Sequence, residues 1–160
     1  MFGSMEKLIV SNEEMFQQVA GLLSQGKKVT IPVKGYSMLP LIVGERDLVE
    51  LESSPQYKTG DIVLFNLRGR WIMHRILHFD SNGNAVIRGD GVVKGCEICP
   101  PSAISGRAVG ILRKGKHRFD PYTPPRMALY RAWEILRPLR RYILFIFRHL
   151  PWNRKYFKVQ

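Results

Sequence analysis

The sequence predicts a mainly β domain, with one helix before its strands and a helical tail after them. Two observations favour this fold class. Short apolar stretches rich in Val, Ile and Leu recur between turns that contain Gly, Pro or Asn over residues 29–112, as they do in antiparallel sheets. Apolar residues recur at helical spacing in two other segments, 12–23 and 126–150. We therefore expect a sheet with a helical segment on either side of it in the sequence.

The first predicted elements are a short strand at residues 8–10 and a helix. Ser11 and Glu14 form a capping box, which marks the N-terminus of the helix. Gly26 ends it, because glycine readily adopts the left-handed conformation of a helix C-cap. The apolar residues at helical spacing are Met15, Phe16, Val19, Leu22 and Leu23.

Six strand candidates follow, separated by turn-forming residues. A Ser-Asn-Gly-Asn sequence at residues 81–84 is typical of a hairpin turn between the fourth and fifth candidates. Residues 88–101 are predicted to form a polar loop. The strand candidates are residues 29–33, 47–51, 60–65, 71–79, 85–87 and 108–112.

Three prolines separate the tail from the strands. Because proline has no backbone N–H to donate, residues 120–125 cannot form regular helix or sheet hydrogen bonds. This predicts a Pro-rich linker at 120–125 between a domain at 1–119 and a tail at 126–160. Pro138 is expected to kink the tail helix or divide it in two. At about 100° per residue, one side of the helix carries Arg126, Arg137, Arg140, Arg141 and Arg148. The apolar residues opposite are Leu129, Leu136, Leu139, Ile143, Ile146 and Leu150.

The positive charge of the chain is concentrated in this tail. The formal net charge is +12, of which residues 121–160 carry +8 because Glu134 is their only acidic residue. An Arg-rich helix with an apolar side suits an anionic membrane surface, which we expect residues 126–160 to contact. Packing of the tail on its own domain or on a partner is the alternative. Nucleic acid is the less favoured partner, because no nucleic-acid-binding motif is present.

The sequence has neither the apolar core of a secretion signal at its start nor a run of about 20 apolar residues, the length that spans a bilayer. The densest apolar run, residues 142–147, lies between Arg141 and Arg148. We therefore expect a cytoplasmic protein or one that is peripheral on the inner membrane face.

A serine follows the strand candidate at residues 29–33, in the sequence Gly35-Tyr36-Ser37-Met38-Leu39-Pro40. A serine in a bend bounded by Gly and Pro at a strand end can present its hydroxyl group to a cleft. Ser37 is therefore a candidate nucleophile. An ordinary strand-to-loop turn is the alternative.

A serine needs a base to accept its proton, and His74 is the candidate. Asp90, in a Gly-Asp-Gly sequence, is a candidate to orient the imidazole ring, and Glu97 is a second carboxylate in the same loop. A strand histidine satisfied by a neighbour and a Gly-Asp-Gly turn without catalytic role are the alternatives.

Four motifs in this order resemble the superfamily of signal peptidases and repressor-cleaving serine proteases. They are Gly35-Tyr36-Ser37-Met38-Leu39-Pro40, Gly60-Asp61-Ile62-Val63, His74-Arg75 and Gly89-Asp90. The resemblance covers residues 28–114, and the His-Arg pair resembles the archaeal and endoplasmic-reticulum type of signal peptidase.

The resemblance implies a coiled, partly barrel-like β-sheet and a serine endopeptidase that removes a leader or signal-like segment. It implies that Ser37 is the nucleophile, His74 the general base and Asp90 a supporting acidic residue, with Met38 and Pro40 contacting an extended peptide substrate. Where many signal peptidases have a hydroxyl residue two positions before the nucleophile, this chain has Gly35, so the oxyanion would be held by backbone amides such as that of Ser37. A non-catalytic peptide-binding or membrane-surface adaptor on the same fold is the alternative function.

No cofactor or metal is expected. Cys96 and Cys99 form a lone CxxC sequence, whereas a zinc site usually has four ligands. Pro100 and Pro101 follow, whereas a redox CxxC pair normally opens a helix. We therefore expect two free thiols, with a local disulfide as the alternative in an oxidising compartment.

Overall fold

The computed structural model describes residues 12–157 and has the predicted mainly β architecture. The strands are β1 (Val29–Pro32), β2 (Asp47–Glu52), β3 (Ile62–Leu67), β4 (Arg70–Phe79), β5 (Ala85–Arg88), β6 (Glu97–Cys99), β7 (Ile104–Arg113) and β8 (His117–Phe119). The α-helices in the described residues are α1 (Asn12–Ser24), α2 (Pro124–Ile135) and α3 (Arg140–His149). The predicted strand at 8–10 and the capping serine at position 11 lie outside the described residues.

All eight strands belong to one antiparallel sheet with the order β1-β2-β7-β3-β4-β5-β6, and β8 pairs with β7. Among the strands of residues 12–157, β1 therefore lies at an edge of the sheet. β4 pairs with β3 over residues 70–75 but with β5 only over 75–79. Within the described residues, the first half of β4 thus has a free edge. Partial closure of the sheet into a barrel stays a prediction.

Two short strands were not predicted. β6 lies inside the segment expected to be a polar loop, and it pairs with β5 through Val86 and Ile98. β8 pairs with the end of β7. Three residues are too few to produce a recognisable alternation, and two prolines directly after Cys99 favour a loop in the sequence. Pairing with a neighbouring strand determines that these two segments form strands.

The sheet is covered on both faces along β3. Ile62 and Leu64 belong to one apolar cluster, which also contains Val19 and Leu23 of α1. Val63 and Phe65, which alternate with them, belong to a second cluster with residues of β4 and β5. Because neighbours on a strand point to opposite faces, a central strand that is apolar at every position is buried on both sides.

The predicted linker is held against the sheet. Pro121 is buried, and the hydroxyl group of Tyr122 accepts a hydrogen bond of 3.0 Å from the backbone N–H of Ile62 in β3. Burial raises the pKa of Tyr122 to about 12. α2 begins directly afterwards at Pro124, a favourable residue for the first turn of a helix.

We expect Tyr122→Phe to lower the free energy of unfolding by about 1–2 kcal/mol at neutral pH, because it leaves the Ile62 N–H without its acceptor. Urea unfolding measures the difference. Tyr142→Phe, which removes an exposed tail hydroxyl group, is the matched control and should change stability by only a few tenths of a kcal/mol.

The raised pKa of Tyr122 also predicts a pH dependence with a definite sign. Between pH 10 and about 12 the folded state keeps the phenol proton, whereas the unfolded state loses it. The stability from this group is therefore complete below pH 10 and is lost as the pH rises through about 12. Over this range, Tyr122→Phe should lose less stability than the wild type. Equal losses would contradict the burial of this hydroxyl group.

The tail divides at Pro138 as predicted. A 3-10 turn at Arg137–Leu139 separates α2 from α3, so the two helices do not share one continuous face. Arg140, predicted on the arginine side of the tail helix, is fully buried and faces the sheet domain. Leu144 packs with Leu39 and Val43 of the loop after β1. Among residues 12–157, no helix combines the length and apolar character needed to cross a membrane.

Candidate active site

The Ser37 loop connects β1 to β2 and is tightly folded. Its two ends pair, since the Glu45 N–H donates to the Val33 carbonyl group over 3.0 Å. Gly35 has a φ of +78°, and a Cβ atom on Gly44 would lie 2.4 Å from the Gly35 oxygen. Gly35, two residues before the serine, is therefore required by its positive φ. The loop leaves Ser37 exposed.

His74 lies on β4, buried to 6% exposure, and lines the same cavity as Ser37. A Cβ atom on Gly89 would lie 2.2 Å from the Ser37 carbonyl oxygen and 2.9 Å from His74 Nε2. The serine backbone and the Nε2 side of the imidazole ring therefore converge on Gly89, where a side chain has no room. The cavity has a volume of about 310 Å³ and is lined by Val33, Lys34, Gly35, Ser37, Met38, Trp71, Ile72, Met73 and His74.

The carboxylate beside His74 is that of Glu97. Its Oε2 lies 3.0 Å from His74 Nδ1, the nitrogen that faces away from Gly89. Glu97 is on β6 opposite Ile87, and His74 is on β4 opposite Val63. Both strand partners belong to the second apolar cluster, so the two side chains lie on one face of the sheet. A carboxylate on Nδ1 leaves Nε2 free to accept a proton.

Asp90 contacts Arg75 and not His74, which corrects the expected orienting role. Arg75 donates to both carboxylate oxygens over 2.8 and 2.7 Å. Because Arg75 follows His74 on β4, its side chain points to the other face of the sheet. The sequence contained both candidate carboxylates, but only strand alternation combined with the register of β6 assigns each to its partner.

The Arg75–Asp90 pair is buried and carries further contacts. Burial alone lowers the pKa of Arg75, but the facing carboxylate of Asp90 outweighs this effect and raises it. The guanidinium group also donates to the Gly60 carbonyl group over 3.0 Å and lies 4.1 Å from the ring centroid of Tyr130 in α2. Burial raises the pKa of Tyr130 to about 12, so the ring is neutral beneath the cation.

A chain of contacts joins the tail to the serine. Trp133 Nε1–H of α2 donates to the Asp90 carbonyl group over 2.7 Å. The N–H of Gly91 donates to the Ser37 carbonyl group over 2.8 Å. Trp133 was not identified from the sequence as a site residue, since an aromatic residue in an Arg-rich helix is equally typical of a surface-binding face. The tail therefore supports the loop on which the serine lies.

The two residues expected to bind substrate lie in different places. Met38 is 2% exposed and lines the Ser37–His74 cavity from the core side. Pro40 lines a second cavity of about 370 Å³ beneath α2, together with Arg75, Asp90 and Trp133. Pro40 therefore does not border the space next to the serine.

Three further observations describe the chemistry of the site. Within residues 12–157, the Ser37 hydroxyl group has no hydrogen-bond partner, His74 included, and no group of His, Cys, Asp and Glu has the arrangement of a metal site. Cys96 is exposed, Cys99 is buried, and they are not bonded to each other. Burial raises the pKa of the Cys99 thiol, which disfavours its reactive thiolate form.

Comparison with protein-family models gives no match, and comparison with curated proteins gives no significant match. The motif order in the sequence and the arrangement of Ser37, His74 and Glu97 are therefore the observations that bear on the activity.

Proposed function

We propose that the protein is a serine endopeptidase that cleaves a leader or signal-like segment from a peptide or protein. The observation that carries the proposal is that Glu97 lies 3.0 Å from His74 Nδ1, while His74 Nε2 and the Ser37 backbone both lie against Gly89 and the two residues line one cavity. Acyl transfer by a serine requires a nucleophile, a base next to it and a carboxylate that orients the base, and Ser37, His74 and Glu97 are the candidates for these three roles.

The proposed reaction begins with attack of Ser37 Oγ on the scissile carbonyl carbon, while His74 Nε2 accepts the hydroxyl proton. Glu97 holds the Nδ1–H and stabilises the imidazolium that forms. The Ser37 backbone N–H is a candidate donor to the oxyanion. His74 then protonates the leaving amine, and water hydrolyses the acyl-enzyme with the same base.

An extended substrate fits the two free strand edges near the serine. The first half of β4 and the outer side of β1 are both unpaired within the described residues. A further cavity of about 510 Å³ adjoins the Ser37–His74 cavity, since Val33, Lys34, Trp71 and Met73 line both. A peptide added as a strand gains backbone hydrogen bonds here. Following the resemblance, we propose small side chains next to the cut.

Trp71 is a candidate contact for the peptide backbone. Its Nε1–H is buried and has no acceptor within the described part of the chain, and its side chain borders both adjoining cavities. A buried donor without an acceptor is costly, so a peptide carbonyl group in this groove would satisfy it.

Covalent labelling tests the proposal directly. A fluorophosphonate probe, which loses fluoride when a serine oxygen attacks its phosphorus, should add once to the wild type at Ser37 as read by intact mass. Ser37→Ala should give no adduct, and His74→Ala should label far more slowly. Ser102→Ala, which removes another exposed serine, is the matched control and should label as the wild type does.

A non-catalytic peptide-binding module is the second candidate, because the Ser37 hydroxyl group makes no hydrogen bond to His74. Under this function the two strand edges and the groove remain, but the serine is not activated. A well-folded wild type without adduct, or an adduct that persists in Ser37→Ala, would overturn the peptidase and favour this module.

A further inference from the structure

The outward side of α3 carries an unusually apolar surface, here called the tail face. Of the large hydrophobic residues that are exposed in the described chain, eight of twelve lie between Leu129 and Trp152. Their exposed fractions run from 41% at Leu136 to 80% at Ile135. The tail face consists of Tyr142, Phe145 and Ile146 of α3, with Leu139 directly before the helix and Trp152 after it.

The tail face is not the side that packs on the sheet domain. In α3 the core contacts are made by Leu144, which joins Leu39 and Val43, and by Arg140, whose side chain donates to the Val92 carbonyl group. Tyr142, Phe145 and Ile146 recur at helical spacing on the opposite side and are 55–64% exposed. α3 therefore has two apolar sides, and only one of them is covered.

The charges beside the tail face are all positive. Residues 135–157 contain no Asp or Glu, and the one acidic residue of the tail, Glu134, is paired with Arg88 and Arg140 on the core side. Arg141 and Arg148 are exposed in α3 itself. An occupant of this face must therefore offer both an apolar interior and negative charge.

We propose that the tail face docks on an anionic phospholipid membrane, with α3 lying in the interfacial plane. A lipid surface supplies acyl chains for the apolar residues and headgroup phosphates for the flanking arginines. Tyr142 and Trp152 are the residue types that reside at headgroup level. A second copy of the chain would bring like charges together, and nucleic acid would leave the apolar residues uncovered.

Docking through this face also sets the position of the Ser37 loop. Tyr36 packs on Phe157 with ring centroids 4.8 Å apart, and its hydroxyl group donates to the Tyr156 carbonyl group over 3.2 Å. Arg148 lies 5.6 Å from the centroid of the same Tyr36 ring. The loop is thus attached to the tail, and membrane docking holds the adjacent cavity near the lipid surface.

Vesicle co-sedimentation of the full chain tests the proposal. Vesicles of equimolar phosphatidylcholine and phosphatidylglycerol should bind the wild type at least about tenfold more tightly than pure phosphatidylcholine vesicles, with a loss at high salt. The double variant Phe145→Ser with Ile146→Ser should lose this binding. Its matched control, Leu22→Ser with Ile98→Ser, removes exposed apolar residues outside the tail and should bind normally.

A second pair of variants tests the charges. Arg141→Gln with Arg148→Gln should weaken binding and reduce its salt dependence, whereas Arg68→Gln with Arg70→Gln, exposed at the β3–β4 turn, should have a smaller effect. Each variant is checked for folding by thermal unfolding. Ser37→Ala protein should bind the vesicles as the wild type does. The binding measurement therefore tests the membrane proposal even if the peptidase function is wrong.

Three results would overturn the proposal. The first is no binding of the folded wild type to the anionic vesicles, and the second is equal loss in the tail variants and their controls. The third is a dimer in solution that the Phe145 and Ile146 variants convert to a monomer while vesicle binding is absent, which would assign the tail face to a second copy.

Discussion

Replacement of Asp90 by alanine is expected to lower the free energy of unfolding by about 3–5 kcal/mol, the typical cost of removing one partner of a buried ion pair. Arg75 is 1% exposed and Asp90 is 4% exposed, so the guanidinium group loses two charge-assisted hydrogen bonds without gaining water in their place. Urea unfolding followed by circular dichroism measures the difference.

A matched exposed pair serves as the control. Arg118 donates to Glu50 over 2.9 Å, but its side chain is 48% exposed, so we expect Glu50→Gln to cost less than about 1 kcal/mol. The double variant Arg75→Met with Asp90→Leu should be more stable than Asp90→Ala, since it removes the charge that the single variant leaves unpaired. Equal costs for Asp90→Ala and Glu50→Gln would contradict the burial of the Arg75–Asp90 pair.

Replacement of Glu97 by glutamine is expected to slow the labelling of Ser37 by the fluorophosphonate probe on the order of 10²–10⁴-fold, the usual range for a general acid–base contribution. Glutamine keeps a hydrogen-bond acceptor near Nδ1, but it does not stabilise the imidazolium that forms when His74 accepts the serine proton. The second-order rate constant of labelling is the measurement, because it requires no identified substrate.

Stability separates this effect from a fold defect. The Glu97 side chain is 28% exposed, so Glu97→Gln should change the free energy of unfolding by less than about 1 kcal/mol. Glu52→Gln, an exposed carboxylate on β2, should label as the wild type does. A labelling rate for Glu97→Gln equal to that of the wild type would remove Glu97 from the proposed mechanism.

Much of the local structure could be predicted from the sequence alone. Alternating apolar residues and Gly-containing turns located six strands, and the position of Gly35 after a β-type run located the bend that carries Ser37. Pro138 predicted the division of the tail helix. These features depend on residues close together in the chain, where backbone preferences and side-chain periodicity decide the conformation.

Contacts between distant segments were decided only by the tertiary structure. Glu97 reaches His74, 23 residues before it, because β5 pairs with both β4 and the unpredicted β6 and brings the two side chains to one face of the sheet. Arg75 reaches Asp90 on the other face.

The tail shows the same division between local and distant information. Its helical periodicity is local, but the burial of Arg140 depends on Glu134 and the Val92 carbonyl group being close in space. A helical wheel groups Arg140 with the other arginines of the tail because it contains no information on which side of the helix meets the sheet. Short-range sequence patterns therefore predicted the secondary-structure elements and the candidate nucleophile and base. Strand register and helix docking decided which carboxylate lies next to His74 and which side of the tail remains exposed.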